Sequence, residues 1–124
     1  MVASLNLPQC CGELNDYWSP RVIGKVNNQF VKVAKLLGEL TWHKHQDEDE
    51  LFQVIKGNLR IQIEGQADVS LSANDFCIVP RGTLHNPIAE EECWIVLIET
   101  VTTKHTGDVI TAQTRSTDEQ LGAA

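Results

Sequence analysis

From Arg21 to about Thr103 the chain is broken into short apolar runs by turn residues, and no stretch after residue 20 keeps a helical period over a useful length. Residues 59–64 alternate strictly, with Leu59, Ile61 and Ile63 on one side, which is the period of a strand with one buried face. Runs of the same kind fall at 21–26, 30–37, 41–45, 50–56, 69–71, 76–79 and 94–98, separated by Asn27-Asn28, Gly57-Asn58 and Gly65-Gln66. Turns recurring about every 8–12 residues point to an all-β sandwich or barrel. Residues 76–79 and 94–98 are apolar at every position, as in strands covered on two sides.

Before Pro20 the pattern differs. Residues 9–17 predict one short helix, ended by Pro20. After Thr102 the chain turns polar, a tail expected to be mobile or held by a partner rather than part of the core. The organisation is thus an N-terminal segment (1–20), a barrel (21–103) and a polar C-terminal tail (104–124), one domain in 124 residues.

Charge and cysteine usage narrow the setting. Ten Lys and Arg face 17 Asp and Glu, a formal charge of −7 with no basic cluster, so nucleic acid is excluded as a partner. No basic stretch followed by a long apolar run opens the chain, and residues 93–98, the longest apolar run, are too short to cross a bilayer. Cys10, Cys11, Cys77 and Cys93 form no CxxC pair, and a disulfide between neighbours would be strained. Four free thiols in a reducing cytoplasm are expected, with Cys77 and Cys93 as small core residues.

Three of the four histidines fall in one arrangement. His43 and His45 are two apart, so on extended backbone both project to one side. Glu50 opens the next apolar run, and His85 ends Pro80-Arg81-Gly82-Thr83-Leu84-His85. Pro80 cannot continue a central strand and Gly82 permits a tight reversal, which can carry His85 back toward the others. Three imidazoles and a carboxylate suit a divalent transition metal, Zn, Mn, Fe or Ni. Asp47, Glu48 and Asp49 read as a solvated acidic turn. Trp42 and Lys44 should face away from the ion. Phe52 and Val54 share the parity of Glu50 and should line an apolar wall.

Gly38, His43, His45, Glu50 and Gly57 resemble the first motif of the cupin superfamily, and Asn74 through His85, with Pro80 and Gly82, resemble the second. Gly38 sits one residue closer to His43 than the pattern has it, Asn74 replaces a glycine, and Ala89 stands where an asparagine is common. The resemblance implies an all-β double-stranded β-helix, or jelly-roll barrel, with a short N-terminal helical segment. It also implies a divalent metal held in the barrel by His43, His45, Glu50 and His85. Small cupins of this kind are often grouped as mannose-6-phosphate-isomerase-like, and many pair as homodimers.

The function implied is that of a small metal-binding cupin, a metal-dependent oxygenase or isomerase acting on a small polar molecule. The alternative is a non-catalytic cupin that binds or senses a small molecule, since no general acid or base is evident outside the ligand set. Phe52 and Arg81 are the candidate substrate contacts. His105, isolated in the tail, reads as structural. A homodimer is expected because residues 94–98 are apolar on both faces, more than one small barrel should cover, with residues 14–18 packing across the same junction. No P-loop, GxGxxG or GxSxG pattern supports nucleotide or serine-hydrolase chemistry.

Overall fold

A computed structural model of the chain describes residues 2–122. Met1, Ala123 and Ala124, at the ends of the two terminal segments, lie outside the described residues. The elements in order are α1 (Leu7–Gly12), β1 (Arg21–Val26), β2 (Gln29–Glu39), β3 (Glu50–Lys56), β4 (Asn58–Ile63), β5 (Val69–Ser72), β6 (Phe76–Val79), β7 (His85–Thr100) and α2 (Thr117–Gln120).

All strand pairs are antiparallel. One layer runs β1-β2-β7-β3-β6, and β4 joins β5 to the start of β7. The hinge between the layers is β7. Its first residues, from His85 to Ile88, pair with Ile63 to Arg60 of β4, whereas Cys93 to Thr100 pair with β2. The register slips between Leu36 and Gly38, where β7 leaves one layer for the other. Closing two sheets on a shared strand in this way makes the jelly roll.

The sequence pattern marks only the second half of β7, because Pro87 and Glu90-Glu91-Glu92 look like a break. Pro87 stands opposite Ile61, and its carbonyl still accepts from the Leu40 N–H at 3.2 Å, so the missing donor does not end the strand. The three glutamates are exposed on the bend. Asn27, at the turn between β1 and β2, takes φ 52, and Asn74 takes φ 74, left-handed values that asparagine tolerates where most side chains do not.

The core lies between the layers. Ala34, Leu36, Phe52, Val54, Leu59, Ile61, Cys93, Ile95 and Leu97 form it, and Trp18 from the N-terminal segment plugs one end, its indole N–H donating to Leu37 O at 2.7 Å. A second cluster covers the outer face: Cys11 and Leu14 pack on Val33 and Val96. Helix α1 is shorter than the predicted 9–17. Asn6 caps it by accepting from the Gln9 N–H at 2.9 Å, Pro8 sits in its first turn, and Gly12 ends it.

Three expectations are corrected. Residues 94–98 are indeed apolar on both faces, but this chain's own α1 segment covers the outer one, and Leu14 and Trp18 are buried at home rather than across a junction. Strand β6 ends its layer, so Phe76 and Ile78 are 60% and 56% exposed instead of covered. The tail is folded onto the barrel, with Thr103, Thr106 and Gln120 buried. Its α2 turn is held by a reciprocal cap, in which Ser116 Oγ accepts from the Glu119 N–H and the Glu119 carboxylate accepts from the Ser116 N–H. These are polar residues buried through satisfied hydrogen bonds, which leave no apolar period in the sequence to read.

Candidate metal centre

Residues 41–45 are not a ladder strand. Their backbone touches β7 through one isolated bridge, in which His43 and His85 exchange N–H···O bonds of 2.9 Å in both directions. That bridge sets two of the histidines side by side. Glu50 is the first residue of β3, and His85 is the first of β7, delivered by the turn at Gly82, whose φ of 74° only glycine adopts cheaply. Trp42 and Lys44, alternating with the histidines, are exposed as their parity requires.

His43, His45, Glu50 and His85 meet inside the barrel, all four buried, with one ligand atom from each within 4.8 Å of the others. Glu50 Oε1 lies 3.3 Å from His85 Nε2 and 3.4 Å from His45 Nε2. Two rings are aimed from behind. His43 Nδ1 donates to Thr41 O and His85 Nδ1 to Thr83 O, each at 2.9 Å, and since a carbonyl only accepts, each proton sits on Nδ1. Nε2 of both rings is left as a free lone pair, the form a ligating imidazole needs.

The electrostatics point the same way. Burial, helped by His85 next to it, lowers the His43 pKa to about 4, so this ring is neutral at physiological pH. Burial also opposes a charge on His45, but Glu50 outweighs it and raises that pKa. Burial works against a charge on Glu50 too, yet its neighbours Glu99, His45 and His85 hold it well below the usual carboxylate range. A fully buried carboxylate among histidines needs a countercharge. Both ring nitrogens of His45 are buried without a hydrogen-bond partner, and a bound cation would satisfy one of them. Hard and borderline donors in a three-nitrogen, one-oxygen set match Zn, Mn, Fe or Ni, so the cluster could hold a divalent metal.

Behind Glu50 is a group the sequence left unplaced. Glu99 is its cross-strand neighbour on β7, and Glu99 Oε1 is paired with buried Lys32 at 2.7 Å. Burial, together with the adjacent Glu50, pushes the Glu99 pKa well above the ordinary value. Lys32 Nζ also donates to Gln120 Oε1 at 2.5 Å, tying α2 to the back of the site. The period of β2 puts Lys32 on the same side as Ala34 and Leu36, a lysine among core residues, and that was the available signal.

The candidate substrate contacts separate. Phe52 is buried, with its ring edge-on to His85 at 6.1 Å between centroids, and it lines the cavity beside His43 and Glu50. Val54 packs in the core on the same side. Arg81 does not join them. It is exposed, its backbone N–H donates to Asp49 Oδ1 at 2.9 Å and its Nε is 3.5 Å from the same oxygen, in a groove on the outer surface. His105, read as structural, does enter the cavity, alongside His43, Glu50 and Trp18.

With fold and site described, the family can be stated. The cupin domain pattern matches residues 31–101, more than half of the chain, and the chain belongs to the cupin family. It is 38% identical over 80 residues to the uncharacterised protein YdbB of Bacillus subtilis (strain 168), covering 64% of this chain and 71% of that one. Among solved structures, a cupin-2 domain containing protein from Shewanella frigidimarina NCIMB 400 is 40% identical with a TM-score of 0.74, covering 77% of this chain and 93% of that one. Protein NMB1881 of Neisseria meningitidis is 26% identical with a TM-score of 0.72, covering 79% and 99%. Among the described residues no helix is long and apolar enough to cross a membrane.

Proposed function

We propose that the chain is a metal-dependent oxygenase in which His43, His45, Glu50 and His85 hold a divalent ion, with Fe, Mn or Ni as the metal and a small chelating organic molecule as the substrate. The observation that carries this reading is the buried cluster itself, with two imidazoles aimed by backbone carbonyls and a third left without a partner. Such an ion, when bound, supplies open coordination positions for dioxygen and substrate. The protein's own contribution is a dry wall on one side of that position, built from Leu36, Phe52, Ile95 and Leu97. A phosphorylated sugar would need a cation at that wall, and these side chains carry none. The lining therefore favours oxygenation over the isomerase chemistry suggested by the mannose-6-phosphate-isomerase-like grouping.

The second reading, non-catalytic binding of a small molecule, is favoured by one feature. The cavity next to His43 and Glu50 is only about 20 Å³, room for roughly one water-sized guest, with Trp18 and His105 also lining it. Apo-protein reconstituted separately with Fe(II), Mn(II), Ni(II) and Zn(II) separates the two. Oxygen uptake with one of a panel of diols, diketones and thiols, abolished by chelation, supports the oxygenase. Saturable binding without turnover in every metal form supports the binding protein instead.

Two further expectations belong with this reading. A homodimer now finds its support at β6, where exposed Phe76 and Ile78 continue across to half-buried Leu51 and Ile98. Light scattering giving one chain's mass, 13.8 kDa, would rule the dimer out. A reducing, cytoplasmic setting is supported by the four cysteines, all of them free thiols.

A further inference from the structure

The fourth histidine lies outside the ligand set, yet the fold brings it to the same cavity. After β7 the chain turns back over the segment that carries His43 and His45. Gly107 packs so closely that an added Cβ would fall 2.1 Å from Lys44 O, and its φ is +58°. His105, two residues earlier, lines the cavity with His43 and Glu50. Its orientation is set by the tail: the Arg115 backbone N–H donates to His105 Nδ1 at 2.9 Å. An Nδ1 that accepts has no proton, so in the neutral ring the proton is on Nε2. Burial, foremost among the influences on this ring, lowers its pKa to about 4 and keeps it neutral. The chain of contacts continues behind it. Gln120 donates to Arg115 O at 3.0 Å and accepts from Lys32, which pairs with Glu99 beside Glu50. The tail is therefore anchored at both ends of the site.

We propose that His105 is a ligand-binding residue of the cavity beside the His–Glu cluster, its Nε2–H donating a hydrogen bond to a small anion that would enter that cavity. This rests on the metal reading above and goes beyond it by giving a largely apolar cavity one polar donor outside the His–Glu cluster. In a cavity of about 20 Å³ the recognised class is a small inorganic anion of a few atoms, rather than a neutral hydrocarbon. A hydrogen bond to a charged acceptor in a buried site is worth enough to change affinity by about tenfold or more.

The test uses azide as the probe and protein loaded with Co(II), whose visible spectrum reports azide at the metal. Two variants divide the functions of the ring. His105→Asn keeps an acceptor near the Nδ1 position for the Arg115 N–H and loses the donor. His105→Gln keeps a donor near the Nε2 position and loses the anchor. The proposal predicts that H105N weakens azide binding by about tenfold or more while H105Q stays within about threefold. Azide affinity unchanged in H105N, or weakened more in H105Q than in H105N, overturns it. Metal content of each variant is measured alongside, so a failure of the metal reading (no Co(II) bound by the wild type) is distinct from a failure of this one. Should a variant not fold, the wild-type Zn(II) protein is titrated with azide and the His105 Nε2–H resonance is followed by NMR. A shift of that resonance that saturates with azide supports the proposal, and an unmoved resonance at saturation overturns it.

Discussion

Two stretches build the candidate site. Residues 43–85 bring His43, His45, Glu50 and His85 on or beside strands, and residues 101–122 bring His105 to the cavity and Gln120 to Lys32 behind it, on loops and a single turn of helix. The first stretch is aimed by the β ladder and by two carbonyls, and its purpose is written in its spacing. The second carries no period and no family motif, yet it closes over the first through Gly107 and braces it through Gln120 and Lys32. Strand geometry thus places the His43, His45, Glu50 and His85 cluster, whereas its surroundings are completed by buried polar contacts made late in the chain.

The comparison is broken most severely from the ligand side. His45→Ala and His85→Ala should each lower affinity for the divalent ion by more than about a hundredfold, measured by competition with a chromophoric chelator. A loss under tenfold in both would mean that the spacing does not define the site. Next is the brace. Lys32→Met leaves Glu99 buried without its cation and should cost about 3–5 kcal/mol in urea unfolding, although Lys32 lies outside the His–Glu cluster. An unchanged midpoint would uncouple the tail from the centre.

The two glycine turns then sharpen the contrast. Gly107→Ala meets Lys44 O and a left-handed backbone together and should cost about 2–4 kcal/mol. Gly82→Ala, with open space around it and φ +74°, should cost only about 1–2 kcal/mol. Equal losses would show that the tail rests on the barrel without pressing on it. A comparable effect is expected in pH. His105 has a folded pKa of about 4 against an ordinary 6.5, so between those values the unfolded chain binds a proton that the folded chain does not. Stability is lost as pH falls through that window. In the metal-free protein, His105→Gln should reduce the loss between pH 7 and pH 5 by up to about 2 kcal/mol, read from denaturation midpoints.

Much of the first stretch was legible in the sequence. Strand β3 falls on the run that turn residues marked off, β6 on the run that continuous apolarity marked, and His43, His45, Glu50 and His85 meet as their spacing implied. What escaped did so for physical reasons. The start of β7 hides behind Pro87 and three glutamates because a bent strand needs neither full donors nor an apolar outer face. Phe76 and Ile78 looked like core because an edge strand and a central one share the same period. Lys32, Glu99, Thr106 and Gln120 are buried by pairing with polar groups, and such pairings depend on contacts up to 88 residues apart that no local pattern records. His105 escaped for the same reason, since its place is set by the path of the tail.

The proposed function places one divalent ion among His43, His45, Glu50 and His85. Its most direct test is native mass spectrometry of the chain purified without a metal-affinity tag or chelator and then dialysed against equal concentrations of Fe(II), Mn(II), Ni(II) and Zn(II). One tightly held ion per chain, absent from His85→Ala prepared in the same way, is the predicted result. A wild-type chain that emerges metal-free, or a His85→Ala chain that retains the ion, would contradict it.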